Sequence, residues 1–245
     1  VGCKMTDQRI NKAYDIPPAA LTLPTDAAEL AEGQRLTNIR GCSDCHAPDF
    51  GGMTLIDDPQ IGTGQTANLT TGQGSDVTGY TTADWERAIR HGVGSDGKAL
   101  WIMPSNEFNV LSDSDVARII AYLQTVPPVD RELGEQRLGN LIPLLAAENI
   151  DHTKPSVADV VPEVSVEYGA YVATVCMGCH HANLAGGPIP GSEPGSTPSA
   201  NLTPAGNLAN WTFEDFDTAL TTGVTPEGKE LDPAVMPWPI AREMT

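Results

Sequence analysis

Apolar positions in this chain recur at helical spacing, and polar caps mark where each run begins and ends. Between Asp26 and Arg40, Leu30, Leu36 and Ile39 fall on one side of a 3.6-residue repeat, and Asp26 with Glu29 makes a capping-box-like start, which predicts a helix over 26–40. Val116, Ile119, Ile120 and Leu123 predict a second helix over 112–125, closed by Pro127-Pro128. Two shorter amphipathic segments run from Thr82-Ala83-Asp84-Trp85 through Arg90 and from Thr212-Phe213-Glu214-Asp215-Phe216 through Thr222. Each opens on a threonine able to cap and stops at a glycine, Gly92 or Gly223. A further helix is expected over Ser165–Val175. The apolar run Leu138–Ala147 reads as a short helix across the domains, or alternatively as a patch that docks on a larger complex. It is half the ~20 residues of a membrane span and contains Pro143.

Composition adds two constraints. With 24 glycines and 20 prolines but few aromatics, the 245 residues predict long ordered loops around something other than a large aromatic core. The net charge of −18 makes nucleic acid and anionic membrane surfaces improbable partners, and fits either solubility outside the cell or steering toward a basic docking patch.

Four of the five cysteines sit in two copies of one pentapeptide, Cys42-Ser43-Asp44-Cys45-His46 and Cys176-Met177-Gly178-Cys179-His180. Both fit the C-x-x-C-H pattern of covalent c-type haem attachment: two sulfurs reach one edge of a rigid macrocycle while the adjacent imidazole ligates iron. A redox C-x-x-C or half a zinc site competes for one copy alone, but a zinc ribbon needs neither histidine and a thioredoxin-like motif needs no repeat. Two haems would supply the missing apolar mass.

The surroundings repeat as well. Asn-Leu-Thr begins 22 residues after His46, at Asn68, and 21 after His180, at Asn201. Each amphipathic segment is followed by Gly-Lys, Gly97-Lys98 or Gly228-Lys229, and each half reaches Met-Pro, Met103-Pro104 or Met236-Pro237. The Asn-to-Met distance is 35 residues in both halves. Duplicated domains constrained at both ends explain this, and the constraint would be iron: histidine on one face, a soft thioether on the other. Proline after methionine stiffens the loop that presents the sulfur. The expected axial iron ligands are therefore His46 with Met103 and His180 with Met236. Met53 lies too near His46, Met177 is inside its own motif, and Met244 has no counterpart. His91, His152 and His181 are read as surface or supporting residues.

The order helix, C-x-x-C-H, loops with a middle helix, Met, helix resembles the class I cytochrome c fold, in which the first and last helices cross closely; Gly33 and Tyr122 are the expected contact. The wider pattern resembles di-haem cytochromes and the cytochrome subunits of membrane-bound alcohol dehydrogenases, over roughly residues 25–128 and 160–245. The implied fold is mainly α, two tandem class I cytochrome c domains with long loops. The expected division is an N-terminal or anchor-proximal segment over 1–24, domain 1 over 25–128, a linker over 129–160 and domain 2 over 161–245. Only nine residues follow Met236, too few for a closing helix, so either the natural polypeptide continues or a partner covers that haem edge.

The resemblance implies two covalently bound haem c groups, a periplasmic or extracellular location, and electron transfer to redox proteins or a membrane oxidoreductase complex such as a respiratory chain, with no catalytic residue of its own. A di-haem peroxidase, which needs one iron able to lose its sixth ligand, and a haem-bearing structural subunit are the alternatives. Val1-Gly2-Cys3 resembles the end of a bacterial lipobox. Lipidation at Cys3, a membrane helix preceding the chain, or an inert terminal cysteine are its three readings.

Overall fold

The computed structural model describes residues 11–59, 62–138, 157–190, 192–193 and 195–244. Cys3, His152 and most of the apolar run after Leu138 lie outside the described residues. The chain divides into two compact units, one running to Asp159 and one from Val160 onward.

In the first unit, helix α1 (Ala27–Ile39) is capped by Asp26, whose side chain accepts the Glu29 N–H at 3.0 Å. The haem-motif residues form the one-turn helix α2 (Cys42–His46). Strands β1 (Thr54–Asp58) and β2 (Gly62–Gln65) follow, then α3 (Thr82–His91), α4 (Ser105–Phe108), α5 (Asp113–Leu123) and strand β3 (Arg137–Leu138). α1 packs against α5. A Cβ on Gly33 would stand 2.2 Å from the Arg118 carbonyl oxygen and 3.0 Å from the Tyr122 Cβ, so glycine is what lets the two backbones meet. Leu36 and Ile39 of α1 and Val116, Ile119, Ile120 and Leu123 of α5 are all buried at this crossing, with Trp85, Ala88 and Ile89 of α3 in the same core. Beyond the undescribed stretch, the chain returns to the start of α5: Asp113 N–H donates to the Val157 carbonyl at 3.0 Å and Ser114 N–H to Asp159 at 3.1 Å.

The sequence reading differs from the structure at several places in this unit. The cap of α3 is Thr81, one residue before the expected Thr82; it closes a reciprocal capping box with Asp84. A small antiparallel sheet, in the order β1-β2-β3, occupies residues read as loop in β1 and β2 and, in β3, as linker and the start of the short helix expected from Leu138. Its strands are short, and Gly62-Thr63-Gly64-Gln65 carries little β signal. Gly64 is a packing demand, because a Cβ there would lie 2.7 Å from Ile102 Cδ1.

In the second unit, α6 (Val166–Val172) runs through the 3-10 turn Ala173–Cys176 into α7 (Met177–His180). The 3-10 turn Asn207–Asn210, α8 (Phe213–Thr222) and α9 (Trp238–Ala241) complete its described helices. α8 repeats the capping box of α3 with Thr212 and Asp215, and packs against α9. The order of leading helix, motif helix and capped middle helix thus recurs from the first unit to the second, where the 3-10 turn Asn207–Asn210 precedes the middle helix.

Candidate functional site

The backbone after each pentapeptide is built the same way. Ala47 and His181 have positive φ (65° and 62°), as do Phe50 and Leu184 (57° and 56°). Gly52 N–H donates back to the His46 carbonyl at 2.9 Å and Gly186 N–H to the His180 carbonyl at 3.2 Å. Gly52 and Gly186 both have positive φ, and a Cβ on either would meet a backbone oxygen, of Thr66 or Ser199, at 2.4 Å. These two glycines escaped the sequence reading. Their signal was available, since both stand six residues after the motif histidine.

This close approach brings the next loop to the histidine. His46 Nδ1 lies 2.8 Å from the Ala67 carbonyl, and His180 Nδ1 lies 2.8 Å from the Ala200 carbonyl. A carbonyl only accepts, so in both rings Nδ1 is the donor, which leaves Nε2 of a neutral imidazole as the nitrogen able to ligate. Asn-Leu-Thr explains why the carbonyl is there. Asn68 Oδ1 accepts from Thr70 N–H at 3.0 Å and its hydroxyl at 2.8 Å, and Asn201 Oδ1 accepts the equivalent pair from Thr203 at 2.8 and 2.7 Å. The turn is pinned immediately after the accepting residue. Burial holds the His46 imidazole below its usual pKa, against the opposing pull of the Ala67 carbonyl and Asp76, which favours the neutral form that can ligate. Burial, and then the neighbouring Cys45, push the Cys42 thiol up to about 12; burial also raises Cys45.

The Met-Pro segments match equally closely. Pro104 (φ −79°, ψ 61°) and Pro237 (φ −74°, ψ 55°) each occupy the centre of an inverse γ-turn. Ser105 N–H closes the first onto the Met103 carbonyl at 2.9 Å, and Trp238 N–H closes the second onto Met236 at 2.6 Å. Upstream, Gly-Lys forms the tip of a small hairpin in both units: Gly94 N–H to Lys98 carbonyl and Thr225 N–H to Lys229 carbonyl, each 2.9 Å. Different residues brace the methionine loop from below. In the first unit buried Arg90 spans its two ends, reaching from α3 to the Leu111 carbonyl at 2.8 Å and Asp113 at 2.6 Å. In the second, where Thr221 holds the place of Arg90, Arg242 donates to the Thr221 carbonyl at 2.5 Å and stacks on Trp238.

Cys42, Cys45, His46 and Met103 line one cavity of about 990 Å³ in the first unit, with Leu69, Trp85, Ile89, Leu100, Phe108 and Ile119 among its apolar walls. That volume lies at the upper end of the range of about 300–1,000 Å³ found for cofactor pockets. Two thiols at one rim, an imidazole with its lone pair on Nε2, a thioether and a mainly apolar wall fit a covalently held haem. Met53 is tied instead into the base of the β1–β2 hairpin through Thr66. His91 is buried beside Glu86, 3.6 Å away, and His181 bonds the Pro188 carbonyl at 3.0 Å. Among the described residues no group of three or more His, Cys, Asp or Glu is arranged to hold a metal ion. None of the described helices is long and apolar enough to cross a membrane.

The cytochrome c family profile matches residues 30–127. The chain is 30% identical over 230 residues to a di-haem c-type cytochrome of Cereibacter sphaeroides, covering 81% of this chain and 75% of that protein. It is 28% identical over 240 residues to the fructose dehydrogenase cytochrome subunit of Gluconobacter japonicus, covering 86% of this chain and 49% of that one. It is 26% identical over 234 residues to the cytochrome c subunit of the quinone alcohol dehydrogenase of Komagataeibacter europaeus, covering 83% and 50%. The chain therefore spans about half the length of these two dehydrogenase subunits.

Proposed function

Since the chain belongs to the cytochrome c family, we propose that it is a di-haem electron carrier, with one covalently bound haem c in each unit, relaying electrons on the outer face of the cytoplasmic membrane. Bound haem c supplies a one-electron Fe(III)/Fe(II) couple. Cys42 with Cys45 and Cys176 with Cys179 are the attachment residues, His46 and His180 the proximal ligands, and Met103 and Met236 the ligands opposite. The observation that carries the reading is the pair of 2.8 Å bonds from His46 and His180 Nδ1 to backbone carbonyls. Such a bond orients the ring, fixes its tautomer and makes Nε2 more basic toward a metal. The γ-turn prolines hold each methionine on a stiff loop, which favours a permanent sixth ligand over an exchangeable one. No residue is assigned a catalytic role.

The partner of this reading is the substrate-oxidising part of a membrane-bound dehydrogenase, by analogy with the fructose and alcohol dehydrogenase cytochrome subunits it resembles. Membrane attachment is assigned to the N-terminal region near Cys3. A pyridine haemochrome assay together with near-infrared spectroscopy tests the assignment. Two haems per chain are expected, both with methionine-to-iron charge-transfer absorption. Met103→Ala should abolish one of the two methionine signatures and leave both haems covalently attached, whereas unchanged ligand spectra would remove Met103 from the set.

A further inference from the structure

Residues from Val129 read in sequence as the start of a polar connector, yet they are bonded to the first unit. Val129 N–H donates to Thr70 Oγ1 at 2.9 Å, and its carbonyl accepts from Asn68 Nδ2 at 2.9 Å. Arg131 N–H donates to the Gln73 carbonyl at 3.0 Å. The Arg131 guanidinium clasps Asp49 at 2.9 and 2.7 Å and reaches the Gly52 carbonyl at 2.9 Å, beside the loop that follows the haem motif. Arg137 and Leu138 then extend the sheet along β2. Between these anchors, Glu132, Leu133, Gly134 and Gln136 line the same cavity as Cys42, Cys45, His46 and Met103.

Gly72 belongs to this seat. A Cβ there would lie 2.2 Å from the Val129 oxygen and 2.3 Å from its carbonyl carbon. The turn itself does not ask for glycine, because the second unit builds the same turn with alanine. Gly72 N–H donates to Thr70 Oγ1 at 3.2 Å, and Ala205, four residues after Asn201 as Gly72 is after Asn68, donates to Thr203 Oγ1 at 3.2 Å. Glycine at 72 answers to Val129.

We propose that Val129–Leu138 is a strap forming one wall of the first haem pocket, and that Gly72 and Arg131 are positioning residues that seat it, keeping water from the first haem and thereby raising its reduction potential. The proposal rests on the haem reading above. Oxidation adds positive charge to the haem, which water stabilises, so a wall that excludes water favours the reduced state. Glu132, on the same wall, acts with opposite sign. It is exposed and screened by solvent, so exclusion is the larger effect.

Gly72→Ala tests this without changing any charge, in the holoprotein, with Arg131→Gln as the second variant. Spectroelectrochemical titration and amide hydrogen exchange are read side by side. One of the two midpoint potentials should fall while the other stays in place, and the Val129 and Arg131 amides should exchange about tenfold faster or more, as loss of roughly one hydrogen bond's stabilisation implies. The strap's role is overturned if those amides become exposed while both midpoints stay put, or if they keep their protection in both variants. Fewer than two haems per wild-type chain would instead defeat the underlying haem reading, an outcome visible before any variant is made.

Discussion

Arg90 is 1% exposed and shares its guanidinium among Glu86 (3.3 Å), Asp113 (2.6 Å) and the Leu111 carbonyl (2.8 Å). Glu86 is equally buried, so removing the cation alone leaves a carboxylate in the core without its countercharge. Arg90→Met should cost about 3–5 kcal/mol in urea unfolding, the usual consequence of breaking one side of a buried pair, and adding Glu86→Gln should recover part of it. Nothing in the sequence distinguishes Arg90 from a surface arginine at a helix end, because an i,i+4 pair with Glu86 is also what an exposed helix shows, and its other two partners lie about twenty residues further on. His46 and His180 are the opposite case. The ligand role proposed for them is read from the pentapeptide, while the carbonyls of Ala67 and Ala200 that orient them emerge only in the structure, since the Asn-Leu-Thr offset marks a repeat and not a bond. Gly52 and Gly186 fall between: the spacing is on the page, but their need for positive φ emerges only when the chain folds back on Thr66 and Ser199.

Helix ends were readable to within a residue, because caps are local chemistry; the cap expected at Thr82 falls on Thr81. The box Thr81–Asp84 recurs as Thr212–Asp215, with Asp215 and Thr212 bonded at 2.7 and 2.8 Å. The Asp84 carboxyl is held below its ordinary range, first by the Thr81 hydroxyl, which outweighs the upward effect of burial, and further by the Thr81 N–H and Arg87. A carboxylate whose folded pKa is depressed stabilises the fold above its unfolded pKa and loses that contribution as pH falls through the folded value. Asp84→Ala should therefore lower stability by about 1 kcal/mol at neutral pH. The deficit should shrink once acid takes the solution below about pH 4, which chemical denaturation at the two pH values would measure. Strands were not readable for the converse reason: β1, β2 and β3 are fixed by one another and by Ile102 across the chain, and no periodic pattern survives in Gly62-Thr63-Gly64-Gln65.

Over the whole molecule, 32 acids against 14 bases give a strongly acidic surface, with a sequence pI near 4.4. Electron exchange with a basic redox partner should accelerate at low salt and slow steeply as ionic strength rises, while exchange with an acidic partner should show the reverse; stopped-flow rates across a salt series check both. The repeat led to the expectation of two domains, and the chain divides into two compact units, the first running to Asp159. What the repeat did not announce is where the first one stops. Val129-Asp130-Arg131-Glu132 is polar and aperiodic, the signature of a connector, and its partners are backbone atoms and small polar groups that leave no hydrophobic trace. The consequence falls on anyone wishing to isolate the first unit alone. A fragment ending at Pro128 strips Asn68, Thr70 and Gln73 of bonds they make in the intact chain and opens one side of the pocket, whereas a fragment carried through Leu138 keeps that side whole.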